Sequence, residues 1–115
     1  MQLSENDAIR LRHMLESASK ALLFAKGKSR AHLGKDEQLR LALVQLIQIV
    51  GEAASRVSRE FQEQTPSIQW ADIISTRNRL IHAYFDINLN VLWDTIKDDL
   101  PPLVNELEKI LGTEE

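Results

Sequence analysis

Apolar residues recur along this chain at helical spacing, in runs separated by glycine, proline and capping residues, and no run alternates with period two. Ile9, Leu11, Leu15, Ala18, Leu22 and Leu23 form the first run. Ser4, followed three residues later by Asp7, approximates an N-terminal capping pair, so the pattern predicts a helix from Glu5 to Ala25. The stretch from Gly27 to Gly34 breaks it, and Asp36 can cap a second helix running to about Phe61. Gly51 lies inside that helix, where glycine costs about 1 kcal/mol relative to alanine; a neighbouring helix in close contact would compensate. Pro66 closes the next turn, and a third helix is expected from Ser67 or Trp70 to Phe85. Asn88 then caps a fourth apolar face carrying Leu89, Leu92, Trp93 and Ile96. The Pro101-Pro102 pair is expected to stop or kink that helix before a last one through Leu111. These elements predict an all-α fold, an antiparallel up-and-down bundle of about five helices in a single domain over residues 1–115.

Composition narrows the chemistry. The 115 residues, 43% of them hydrophobic, suffice for one core, and the absence of cysteine removes disulfides, thiolate metal sites and thiol nucleophiles. No apolar run approaches the roughly 20 residues needed to span a bilayer, so a soluble, cytoplasmic protein is expected. The formal charge of −3 does not suggest broad attraction to nucleic acid. A contact of that kind must be local, and Lys26, Lys28, Arg30 and Lys35 in the glycine-flanked segment are the candidates, against the plainer reading of a solvated basic loop. Gly27-Lys28-Ser29 looks like the end of a phosphate-binding loop, but Leu22 stands where that motif needs glycine, and no strand precedes it. His13, His32 and His82 are too scattered for a zinc site, and His13 and His32 read as surface residues.

The most informative stretch is Arg77 to Tyr84, R-N-R-L-I-H-A-Y. Projected as a helix, Ile73, Ile74, Leu80, Ile81, Tyr84 and Phe85 fall on one apolar arc with Arg77 near its centre, while Asn78 and His82 share a more polar flank. A guanidinium buried there needs an anion opposite it. Two sources stay open: an internal carboxylate, for which Glu52 beside Gly51 is the best candidate, or a phosphate at a cleft between subunits. An arginine that steadies developing negative charge and a histidine that moves protons near neutrality are the minimal equipment for phosphodiester cleavage without a metal. Five positions apart, the two side chains lie about 140° apart on an ideal helix, so two copies packed across a two-fold axis would gather them better than one.

R-N-R-L-I-H resembles the Arg, polar residue, three variable positions, His motif of HEPN ribonucleases, and Tyr84 extends it to the Arg-x4-His-x-Tyr form of HepT-like toxins. I-V-G-E-A-A at Ile49 to Ala54, P-S-I-Q-W at Pro66 to Trp70, Y-F-D-I-N at Tyr84 to Asn88 and V-L-W-D-T-I at Val91 to Ile96 are similar to other landmarks of that family. The resemblance implies a helical HEPN domain that dimerises through the motif helix and cleaves RNA at a composite cleft, with no metal and no cofactor. Arg77 would steady the phosphate, Asn78 orient it and His82 transfer protons. The implied partner is an MntA-like nucleotidyltransferase antitoxin of a type VII toxin-antitoxin system, which would transfer AMP to Tyr84. The alternative is a non-catalytic helical module that binds RNA or nucleotide and pairs with such a nucleotidyltransferase.

Overall fold

Ser4 Oγ accepts the Asp7 N–H at 3.1 Å, and helix α1 follows over Glu5–Ala25 in a computed structural model that describes residues 3–81 and 86–114. Gly27 ends the segment with a φ of 76°, a left-handed conformation in which a side chain is disfavoured. The glycine-flanked stretch is more than a break. Ser29 and His32 cap each other's backbone N–H groups and start a six-residue helix, α2, Arg30–Lys35, which buries Leu33. His32 is exposed, as expected, with Nδ1 accepting the Ser29 N–H at 2.9 Å.

Asp36 caps α3, Glu37–Ser55, by accepting the Leu39 N–H at 3.0 Å. This helix stops short of Phe61, where the hydrophobic pattern placed its end. Ser58 donates its N–H and its hydroxyl to the two oxygens of buried Asp7, at 2.9 and 2.6 Å. Its Oγ also accepts the Phe61 N–H and so caps a separate short helix, α4, Arg59–Gln64. Gln62 Nε2 donates back to the Val57 carbonyl at 3.0 Å, which supplies a partner at the break. The Asp7–Ser58 contact joins the beginning of α1 to the end of α3, so these two helices run antiparallel.

Helix α5 covers Trp70–Leu80, after a turn in which Trp70 Nε1 donates to the Thr65 carbonyl and hydroxyl oxygens at 3.2 Å. The predicted helix to Phe85 is corrected at Ile81, whose backbone is extended (φ −116°, ψ 116°) and pairs as an isolated bridge with Ile87. Asn88 N–H donates to the Leu80 carbonyl at 2.7 Å, tying the two flanks together. His82 and Tyr84 lie outside the described residues.

Asn88 Oδ1 accepts the N–H groups of Asn90 and Val91 and caps α6, Leu89–Asp94. The helix does not end at the prolines. It passes through a wide π turn, Thr95–Asp99, in which Leu100 N–H donates to the Thr95 carbonyl, and continues as α7, Leu100–Glu114. A proline lacks the N–H that would meet the carbonyl four residues back, and its ring crowds that carbonyl. Widening the preceding turn relieves both problems for Pro101 and Pro102.

Among the described residues the fold is all-α. Helix α1 packs on α3 and α7, and α5 also packs on α3. Leu11, Met14, Leu43, Leu80, Leu92 and Leu107 are fully buried between them. Among the described residues no helix is long and apolar enough to cross a membrane.

Candidate functional site

The α3–α5 contact is close because Gly51 has no side chain. A Cβ there would lie 3.4 Å from the Ile73 carbonyl oxygen and 3.9 Å from Arg77 Cδ. Arg77 therefore lays its aliphatic stem against α3 while its guanidinium reaches past it. This corrects the helical projection, which put the charge inside the apolar arc: the side chain is 39% exposed, and the arc's Ile73, Ile74 and Leu80 pack on the core without enclosing it. The buried polar group of α5 is Thr76, whose hydroxyl donates to the Asp72 carbonyl at 2.7 Å.

Glu52 is the anion opposite Arg77. Arg77 Nη1 donates to Glu52 Oε2 at 2.6 Å, and Arg56 Nε donates to the other oxygen at 2.9 Å. The hydrogen bond from Arg77, then that from Arg56, holds the Glu52 carboxyl below the usual carboxylate range. Arg79, two residues on, turns elsewhere and donates to Thr76 Oγ1 at 2.9 Å, with Asp72 Oδ1 3.6 Å away. Asn78 is exposed.

The Arg77–Glu52 pair forms part of the wall of an open cleft of about 390 Å³. Arg10 and His13 of α1 line it too, and Gln45, Gln48, Ile49 and Arg56 complete it. Among the described residues, three arginines and one carboxylate thus line the cleft of a chain of net negative charge. Such a cleft can take up anionic oxygens. A second cavity, of about 180 Å³ between α3, α5 and the π turn, has the opposite character. Asp72, Asp98, Asp99 and Glu106 line it, and partial burial, then the charge of Asp72, pushes the Asp99 carboxyl up.

The basic segment is not brought to Arg77 within one chain. Lys26 and Lys28 follow α1, Arg30 donates from α2 to Asn90 Oδ1 at 2.9 Å, and Lys35 ends α2. Lys26 lies roughly 24 Å along α1 from Arg10, at 1.5 Å of rise per residue. The sequence reading missed Arg10 and Arg56 and took His13 for an ordinary surface residue; it is exposed, yet it lines the cleft. The spacings that could have flagged them are Arg10 with His13, three apart, and Glu52 with Arg56, four apart. Among the described residues no group of three or more His, Asp or Glu side chains is placed to hold a metal ion.

Comparison with known proteins decides the family. The sequence profile described as Ribonuclease HepT-like matches residues 14–110. The chain belongs to the HepT-like ribonuclease family. An inferred RNase of Caldanaerobacter subterraneus subsp. tengcongensis is 34% identical over 104 residues, covering 90% of this HepT-like chain and 93% of the relative. An inferred RNase of Methanocaldococcus jannaschii is 33% identical over 83% of this chain and 87% of its own. A protein of Thermococcus cleftensis named "Probable ribonuclease HepT" is 36% identical over 75 residues, 65% of this chain and 68% of its own. No solved structure matches the HepT-like chain.

Proposed function

We propose that this HepT-like protein is a metal-independent endoribonuclease acting at a cleft built by two copies of the chain. The observation that carries this reading is Arg77: its guanidinium stands half-exposed at the edge of a basic cleft, aimed by Glu52, in a family named for ribonuclease activity. Arg77 gives one N–H group to Glu52. Among the described residues the other donors of its guanidinium have no acceptor, which suits them to a phosphodiester.

In the reaction, the ribose 2′-oxygen attacks the neighbouring phosphorus as His82 takes its proton. The bond from phosphorus to the 5′-oxygen breaks, and that oxygen leaves with a proton returned by a histidinium. The products are a 2′,3′-cyclic phosphate and a 5′-hydroxyl. Arg77 stabilises the negative charge gathered on the phosphoryl oxygens, and Asn78 orients the group. Two copies supply two His82 side chains, one as base and one as acid. Exposed Ile49 beside the cleft and Ile9 on α1 near Arg10 are apolar surface that a second copy would cover.

The resemblance of the motif to HepT-like toxins extends the proposal to a cytoplasmic toxin-antitoxin pair. The Tyr84 hydroxyl attacks the α-phosphorus of ATP on a nucleotidyltransferase antitoxin, releasing pyrophosphate and a proton and leaving AMP on the tyrosine. The test is cleavage of a single-stranded RNA by the purified protein with chelator present, together with its mass in solution. A dimer that cuts RNA and yields cyclic-phosphate ends supports the reading. A dimer that binds RNA and never cuts it supports a non-catalytic module instead.

A further inference from the structure

We propose that Arg10, with His13 and Arg56, forms a second phosphate subsite that continues from Arg77 and holds the RNA backbone beside the scissile phosphodiester. The proposal rests on the ribonuclease reading and concerns residues that the Arg-His motif does not contain. Arg10 and His13 even precede residue 14, where the family match begins.

The first support is the partner each arginine has. Three arginines among the described residues are half-buried: Arg10, Arg40 and Arg77. Arg40 donates to the carbonyls of Leu33 and Gly34 at 2.9 and 3.2 Å, and Arg77 to Glu52 at 2.6 Å. Arg10 has no acceptor among the described residues. A guanidinium that has given up part of its water without gaining an oxygen is poised for an incoming anion.

The second is the charge of the cleft. Among the described residues Glu52 is its one carboxylate, and both its oxygens are already taken by Arg56 and Arg77. The remaining polar walls are Gln45 and Gln48, whose amides donate as well as accept, and His13. An oxyanion entering the cleft therefore meets the donors of Arg10 and Arg56, and Arg77 lines the same cleft. A nucleic-acid strand carries regularly repeated phosphates, so a group held at Arg77 brings its neighbour within the same groove. The basic cleft also answers how a chain of net charge −3 binds RNA: the attraction is concentrated at the site.

The experiment uses the full-length protein and a 2′-O-methyl oligoribonucleotide, which lacks the attacking hydroxyl and is bound without being cut. Affinity is measured by fluorescence anisotropy across a series of salt concentrations for wild type, Arg10→Gln, Arg10→Lys, Arg77→Gln and Arg12→Gln. Arg12 is exposed on α1 and does not line the cleft. Arg10→Gln is expected to weaken binding several-fold and to flatten the slope of log K against log salt by about 0.7, one single-strand phosphate contact. Arg10→Lys should keep the slope, and Arg12→Gln should keep both slope and affinity. With cleavable RNA, Arg10→Gln should raise KM and leave kcat nearly unchanged. An unchanged slope in Arg10→Gln overturns the subsite, as does loss of the dimer with RNA binding intact, which would make this face a contact between copies only. If Arg77→Gln still cuts at the wild-type rate while Arg10→Gln flattens the slope, the subsite stands and the assignment of Arg77 falls.

Discussion

Arg77 and Glu52 meet at 2.6 Å across the contact between α5 and α3, one residue along from the glycine that lets the two helices approach. Because the folded protein holds the Glu52 carboxyl below its unfolded value of about 4.5, the ionised form is favoured on folding. The stabilisation is therefore present in full above that value and fades as pH falls through the folded pKa. Glu52→Gln should lower the melting temperature slightly at pH 7, since the pair is solvent-reached, and the deficit should vanish in strong acid. Thermal melts of both proteins from pH 3 to pH 7 check this; a deficit that grows toward acid contradicts it.

Asp99 gives the opposite sign. Its carboxyl is pushed up, so folding is opposed while it is ionised and eased as pH falls through the raised value. Asp99→Asn should raise the melting temperature at pH 7, by no more than about 2 °C because solvent screens the site. The gain should disappear near pH 3.

Asp7 is buried and accepts two hydrogen bonds from Ser58 across the fold. Asp7→Ala leaves the Ser58 N–H and hydroxyl without that acceptor and should cost about 2–3 kcal/mol. Chemical denaturation measures this as a lower midpoint with unchanged slope. A loss under 0.5 kcal/mol would mean that water replaces the carboxylate.

His82→Ala should reduce RNA cleavage by about 10²- to 10⁴-fold while helical content and solution mass stay the same. The assay requires a preparation free of contaminating nuclease. Cleavage at the wild-type rate would remove His82 from the chemistry.

Tyr84→Phe should cut RNA as wild type does, yet escape silencing by the antitoxin and ATP. Intact mass is expected to rise by whole AMP units in wild type and stay constant in the variant, since the phosphodiester needs the phenolic oxygen. The added negative charge should engage Arg77 and exclude RNA. Modified wild type that remains fully active would end the switch hypothesis.

Local signals read well from the sequence. Helix α1 starts and stops where Ser4 and Gly27 predicted, because caps act on their own turn. Glu52 was legible as the partner of Arg77 because a glycine inside a helix marks where another helix must come close. Long-range causes were not legible. The end of α3 depends on Asp7, 51 residues before Ser58, and the cleft draws its arginines from α1, the end of α3 and α5. A helical projection gives the direction of Arg77 but not how far its stem carries the charge outward. The stop or kink expected at Pro101-Pro102 takes the form of a wide turn, and that turn sits before the prolines and not at them.

That turn also sets the phase of the last helix. Leu92, Ile96, Leu100, Leu103, Leu107 and Leu111 are all buried. In an uninterrupted α-helix, Leu111 would be rotated about 100° from Leu92, enough to swing the end of the row toward solvent. One extra residue wound into the π turn takes back about that angle, so a single leucine seam runs straight from Leu92 to Leu111. Straightening this turn at constant length would turn Leu103, Leu107 and Leu111 away from α1 by about 100°, whereas removing one residue between Thr95 and Asp99 would give a regular helix with the seam still in phase. The wide turn is thus a phase corrector, and the bundle should tolerate the loss of one residue there more readily than the gain of one.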